Sequence, residues 1–222
     1  MSEERLPLPP APALPTPARL AAALGGRLPP AKSRIGLLGG SFNPPHRAHR
    51  EISLQALSAL ALDQVWWLIS PQNPLKPTDG MAPLATRLAA ACAKVDHPRI
   101  TAAALETALG TQRTADTLQA LQGRFPRVAF VWLMGADNMI QIERWHAWQQ
   151  IFHRLPVAIF DRPSYSLKAM AAKPAKRFGD SRLREAYSRC LASCQPPAWV
   201  FIHGQRNALS ASSIRAGQSC AP

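Results

Sequence analysis

One stretch of this chain, Gly39-Gly40-Ser41-Phe42-Asn43-Pro44-Pro45-His46-Arg47-Ala48-His49, collects the residue types best suited to anion chemistry. Paired glycines let a backbone come close to a ligand. A helix that starts just after them offers unpaired N–H groups and the positive end of its dipole, a seat for phosphate. His46 and His49, three residues apart, share a face of the first helical turn. Both imidazoles can donate to one anion, and imidazole is the side chain that holds or gives up a proton near neutral pH. The chemistry implied is the binding of a phosphate or similar anion. Taken alone, two such histidines also fit a solvated helix face or half of a metal site. The Gly-Gly-Ser-Phe-Asn-Pro-Pro that precedes them favours the phosphate reading.

Positioning such a loop takes a strand before it and a helix after it. Ile35 to Leu38 is a short apolar run that predicts the strand, and Arg47 to about Ala61 predicts the helix, with Ile52, Ala56, Leu57 and Leu60 as its inner stripe. Strands are further expected at Val65–Ile69, Arg99–Leu105, Arg127–Met134, Leu155–Phe160 and Trp199–Ile202. Helices are expected over 83–95, from Thr114 onward with that threonine as its cap, and over Leu183–Cys194. Alternation of this kind predicts an α/β fold, a Rossmann-like doubly wound parallel sheet with helices on both faces, in a single domain. Residues 33–222 make up that domain. Residues 1–32, rich in Pro and Ala, read as a flexible tail in which Arg19–Leu24 has room for a turn or two of helix. Residues 166–182 carry Lys168, Lys173, Lys176, Arg177 and Arg182 with little apolar periodicity and read as an exposed basic segment.

The 222 residues carry 26 Lys and Arg against 13 Asp and Glu, a formal charge of +13 that favours polyanionic partners. No run of basic residues interleaved with aromatics marks a nucleic-acid surface. The longest apolar stretches fall short of the ~20 residues that span a bilayer, so a soluble protein without a membrane partner is expected. Cys92, Cys190, Cys194 and Cys220 have no zinc-like spacing and fit idle thiols in a reducing, cytoplasmic setting.

The histidine stretch resembles the signature of the nucleotidyltransferases that carry a His-x-Gly-His motif. Its Gly-Gly-x-Phe-Asn-Pro-Pro-His form is similar to that of the nicotinate-nucleotide adenylyltransferases, with Ala48 where the family has glycine. That resemblance implies transfer of AMP from ATP to nicotinate mononucleotide in NAD biosynthesis, giving deamido-NAD and pyrophosphate. It implies His46, His49 and Arg215 as the catalytic set. It assigns ATP to Gly39, Gly40, Ser41, Phe42, His46, His49, Asp137, Ser210, Ser212 and Arg215. The last three belong to Leu209-Ser210-Ala211-Ser212-Ser213-Ile214-Arg215, similar to the family's Ile-Ser-Ser-Thr-x-Ile-Arg. The acceptor falls to Asn73 and Lys76 of the Pro-x-Asn-Pro-Leu-Lys loop, to N–H groups at Thr114, to Trp145 as the ring stacker with Trp148 in the core, and to Arg162. Asp137 has two readings, a ribose ligand or a helix cap, and both can hold together.

The cofactor implied is Mg²⁺, carried mainly by the ATP phosphates, with no protein metal cage. The partners implied are small molecules, with no nucleic acid, and the sequence leaves a homo-oligomer open. Two other functions compete. One is adenylyl transfer to nicotinamide mononucleotide or phosphopantetheine. The other is a basic nucleic-acid-binding protein in which the histidine motif is incidental; it predicts salt-sensitive binding to DNA or RNA and no ATP turnover.

Overall fold

The computed structural model describes residues 16–71, 80–162 and 164–203. Its centre is a seven-stranded, all-parallel sheet in the order β3-β2-β1-β4-β5-β7-β6. In chain order α1 (Pro17–Ala23) leads to β1 (Arg34–Gly40), α2 (Arg47–Ala59), β2 (Gln64–Ile69), α3 (Leu84–Lys94), β3 (Ile100–Ala103), α4 (Leu105–Leu109) and α5 (Thr114–Arg124). Then come β4 (Ala129–Gly135), α6 (Ala136–Gln141), α7 (Trp148–Arg154), β5 (Val157–Phe160), α8 (Ser166–Ala171), α9 (Lys173–Arg177), β6 (Arg182–Leu183) and β7 (Trp199–Ile202). The chain runs outward from β1 to β3, then returns to lay β4 on the free side of β1. The crevice between the C-terminal ends of β1 and β4 is therefore the switch point where sheets of this kind bind ligands.

Each strand is apolar along its length because both faces are covered. Side chains alternate between two cores. Leu37, Trp66, Trp132, Ile159 and Phe201 join the cluster on one face, and Leu38, Trp67, Leu133, Phe160 and Val200 the cluster on the other. Both strands that meet at the crevice end in glycine, and there the reason is space. A Cβ on Gly39 would strike the ring of Trp132. Gly39→Ala is expected to cost about 1–3 kcal/mol through overpacking, read as a lower denaturation midpoint at unchanged slope.

Several expectations need correction. The strand predicted to reach Leu105 stops at Ala103, and Leu105 opens α4. Leu105, Ala108 and Leu109 bury a helical stripe, and Gly110 ends the helix in the left-handed region at φ 68°. Thr114 is the first helical residue of α5, not its cap; Arg113 holds the cap position, and no side chain caps it. The segment predicted as helix over Leu183–Cys194 is a 3-10 helix over Glu185–Ser193, preceded by the short β6. Residues 166–182 are folded, because widely spaced apolar residues anchor them. Ala169, Ala175 and Phe178 are buried, Phe178 stacks on Phe152 at 4.6 Å, and its carbonyl accepts from Trp199 Nε1 at 2.6 Å. Within the expected tail, α1 is docked on the domain. Leu20 and Leu24 are buried in the same cluster as Ala108 and Leu109, so the packed unit extends before residue 33. No described helix is long and apolar enough to cross a membrane.

Candidate active site

The loop after β1 delivers the two histidines as expected. His46 caps α2 with extended backbone, and its N–H donates to Nδ1 of His49 at 3.1 Å. With Nδ1 accepting, the neutral ring of His49 carries its proton on Nε2, which makes that nitrogen the donor. The two rings stack at 3.9 Å between centroids. Beneath them Phe42, fully buried at a left-handed φ of 47°, lies 4.4 Å from the His49 ring and stacks on Trp67 at 5.1 Å. Trp67 Nε1 donates to Ser53 Oγ at 2.7 Å, and Ser53 donates on to the His49 carbonyl at 2.8 Å. The Phe42 side chain thus supports His49, and only the Phe42 backbone is left for a phosphate. Ala48 is buried.

His46 is 5% exposed. Burial, with help from the Arg162 charge, lowers its pKa to about 4. At neutral pH His46 is therefore an uncharged ring and contributes as a hydrogen-bonding group, not a cation. Arg162, just beyond β5, pairs with Asp137 in the first turn of α6, Nε to Oδ1 at 3.3 Å. Both side chains are mostly sheltered, and Gly135 makes room for them: a Cβ there would meet Asp137 Oδ1 and lie 3.0 Å from Arg162 Nε. Asp137 does not cap α6, whose cap position is Gly135.

On the other face of the crevice, Trp145 meets Trp132 edge-on at 6.4 Å, and Trp132 is the ring that lies against Gly39. Arg113 Nη1 and His146 Nε2 are 3.1 Å apart, tying the start of α5 at Thr114 to the segment that carries Trp145. Trp148 is core, as expected, against Phe152 and Phe178. The structure therefore gathers Gly39, Gly40, Ser41, Phe42, His46, His49, Asp137, Arg162, Trp145 and Thr114 around the C-terminal ends of the sheet. Asn73, Lys76, Ser210, Ser212 and Arg215 lie outside the described residues. Among the described residues no group of three or more His, Cys, Asp or Glu is placed to hold a metal ion, and Cys92, Cys190 and Cys194 are free thiols.

Two buried polar residues at this end escaped the sequence reading. Arg87 of α3 is 2% exposed, and Glu106 of α4 is 7% exposed. Each is a charge on an otherwise apolar helical stripe, Arg87 among Leu84, Leu88 and Ala91, and that interruption is the signal that could have found them. Burial raises the Glu106 pKa to about 7, against the opposing effect of a hydrogen bond from Ser70.

His46 and Glu106 push the pH dependence of stability in opposite directions. The folded state binds the His46 proton less tightly than the unfolded chain, so its contribution grows as pH rises from about 4 to 6.5. Folding binds the Glu106 proton more tightly. That contribution is complete below 4.5 and is lost as pH rises to about 7. Glu106→Gln is therefore expected to gain on the wild type by on the order of 2–3 kcal/mol across its window as pH rises. His46→Asn should gain on the wild type as pH falls through its own window. Denaturant unfolding at a series of pH values checks both.

The model of the cytidylyltransferase-like family matches residues 37–217, from within β1 to beyond β7. A protein of Bradyrhizobium sp. (strain ORS 278) is 50% identical over 182 residues, 82% of this chain and 95% of the relative, and is named a probable nicotinate-nucleotide adenylyltransferase. The chain belongs to this family. A second member, from Brucella abortus (strain 2308) and with the same name, is 46% identical over 181 residues, 82% of this chain and 93% of the relative. Among solved structures, a Plasmodium falciparum nicotinic acid mononucleotide adenylyltransferase complexed with NaAD aligns with a TM-score of 0.63 over 83% of each chain at 16% identity. That likeness speaks to the fold, which the family shares with this chain.

Proposed function

We propose that this protein transfers AMP from ATP to nicotinate mononucleotide, giving deamido-NAD and pyrophosphate for NAD biosynthesis. The observation that carries the reading is the stacked His46–His49 pair at the switch point, in a chain half identical to relatives of that name. In the reaction an oxygen of the acceptor phosphate attacks the α-phosphorus of ATP. A new P–O bond forms, the bond to the β-phosphate bridge breaks, and pyrophosphate leaves. Such transfers depend on positioning and charge relief more than on a protein nucleophile.

His49, with Nε2–H as donor, and the N–H groups of the glycine loop address the triphosphate. Asn73, Lys76, Ser210, Ser212 and Arg215 complete our proposed phosphate contacts. Asp137 is our candidate for ribose hydroxyls. Trp145 is assigned to stacking on the pyridine ring, the start of α5 at Thr114 to its carboxylate, and Arg162 to the acceptor phosphate or carboxylate. The described side chains provide no oxygen cage for a metal. We assign Mg²⁺ to the MgATP substrate, carried mainly on the phosphate oxygens, and no step is routed through a protein-held ion. Free thiols support a reducing cytoplasmic setting, and residues 33–222 are our assignment for the catalytic unit.

Pyrophosphate release from MgATP, with nicotinate mononucleotide and its amide counterpart offered separately and the dinucleotide identified by mass, is the test. Release is expected with the acid in preference to the amide. No release with either would remove the assignment.

A further inference from the structure

Arg87 is a buried guanidinium whose hydrogen bonds among the described residues all go to backbone carbonyls. Nε donates to Ala82 O at 2.8 Å, Nη1 to Ser41 O and Ser70 O at 2.7 Å each, and Nη2 to Pro71 O at 2.7 Å. These acceptors belong to three separate stretches. Ser41 lies in the glycine loop between β1 and the histidines. Ser70 and Pro71 follow β2, and Ala82 precedes α3. Ser70–Pro71 and Ala82 therefore flank the segment that contains Asn73 and Lys76.

The placement is informative because the ladder between β1 and β2 ends there. Gly40 pairs with Ile69, and the last bond of the series runs from Ser70 N–H to Gly40 O at 2.9 Å. One residue further on, the strands have separated and the backbone can no longer hold itself together. Arg87 Nη1 bridges the carbonyls of Ser41 and Ser70, the first pair beyond the ladder. Asn43 reinforces the same junction, its Nδ2 donating to Gly80 O at 3.0 Å and its Oδ1 accepting from Ala82 N at 3.2 Å. A guanidinium this deeply buried is costly unless its donors are used, and here all four bonds are spent on loop backbone at the end of the sheet that carries the histidines. A planar fork has the geometry to bind carbonyls from several directions at once, which a lysine ammonium lacks. A charged donor on the Ser41 carbonyl also polarises that peptide, so its N–H on Phe42 becomes a stronger donor within the phosphate loop.

We propose that Arg87 is a positioning residue for adenylyl transfer, a guanidinium that continues the β1–β2 ladder beyond its end and fixes the nucleotide loop at Ser41 against the Ser70–Pro71 and Ala82 flanks of the acceptor loop. The inference rests on the reaction assigned above. Misplacing reacting groups by about 1 Å costs on the order of 10²-fold in rate, so that is the scale at stake.

Arg87→Lys and Arg87→Ala are assayed beside the wild type for MgATP affinity by calorimetry, for kcat and both KM values, and for folded fraction by circular dichroism. The expected result is a folded Arg87→Lys protein with kcat lowered by about 30–100-fold and MgATP affinity weakened by about 10-fold. Millimolar methylguanidinium, but not methylammonium, should restore turnover of Arg87→Ala by about 10-fold or more with the folded fraction unchanged on its addition, whereas a merely structural loss would be rescued only as the folded fraction rises. Should Arg87→Ala not fold, Arg87→Lys decides. Lysine values within two-fold of wild type overturn the proposal, as does activity that simply follows the folded fraction, or neither variant folding. If the wild type binds MgATP yet releases no pyrophosphate, the assigned reaction fails and the affinity of Arg87→Lys still decides the role of Arg87. If it does neither, both fall.

Discussion

His49→Ala is expected to lower kcat by about 10²–10³ while the protein stays folded, the scale for losing one donor that acts on developing charge. The ring is held by the His46 N–H on Nδ1 and by the rings of His46 at 3.9 Å and Phe42 at 4.4 Å, and its backbone carbonyl is anchored by Ser53. The first fixes the tautomer and the second fixes the plane, so Nε2–H needs little reorganisation as charge shifts to the leaving pyrophosphate. Because this interaction strengthens in the transition state, kcat and kcat/KM should fall together with little change in the ATP KM. Truncation removes contacts with Phe42 but leaves Phe42 stacked on Trp67, so the loss of stability should stay near about 1 kcal/mol. Steady-state pyrophosphate release and a denaturation curve on the same preparation check both halves. Turnover within a few-fold of wild type in a folded His49→Ala protein would end the role assigned to this ring.

The strands of this fold were legible because they are buried on both faces and read as apolar runs. Val65–Ile69 and Trp199–Ile202 were bounded to within a residue by that signal alone. Leu105 was misread because an apolar residue that follows a strand looks like more strand. What ends it is the helical stripe through Leu109 and the left-handed Gly110, which a search for continuous apolar character passes over. In the 166–182 segment the exposure of the five basic side chains was legible, but the docking of the segment was not, for the converse reason. Its lysines and arginines dominate the composition, whereas Ala169, Ala175 and Phe178 are too far apart for a periodicity yet sufficient to dock it.

The candidate site divides in the same way. Motif residues on the first turn of a helix after a strand were readable, because strand, glycines and histidines are contiguous. The partnership of Asp137 with Arg162 joins residues from the ends of two neighbouring strands, and nothing local in either segment announces it. Arg87 and Glu106 were not picked out because no local motif marks them: Arg87 bonds only backbone carbonyls from distant stretches, and Glu106 is defined by its burial. A charged residue on an apolar stripe is the trace such a role leaves.

Arg162→Met is the substitution expected to have the other large effect, because one guanidinium serves two neighbours. Its Nε stands 3.3 Å from Asp137 Oδ1, and its charge is the second cause, after burial, of the depressed His46 pKa. Removing it leaves the Asp137 carboxylate sheltered and without its ion pair, at a cost of roughly 1–3 kcal/mol for a group of this partial burial. The His46 titration should move upward from about 4 yet stay below 6.5, since burial is the larger cause and remains. If Arg162 also receives the anionic acceptor, kcat/KM for nicotinate mononucleotide should fall by about 10–10², carried by the acceptor KM, with the ATP KM little changed. Arg162→Lys separates the two duties. It keeps a positive charge near His46 and so should hold that titration close to the wild-type value, but a point charge lacks the planar fork and should recover only part of the acceptor affinity. The nuclear magnetic resonance titration of the His46 ring follows the first duty, and initial rates against acceptor concentration follow the second. An unmoved His46 titration in Arg162→Met would show that the guanidinium does not act on that ring, and an unchanged acceptor KM would place the acceptor's charged groups elsewhere in the crevice.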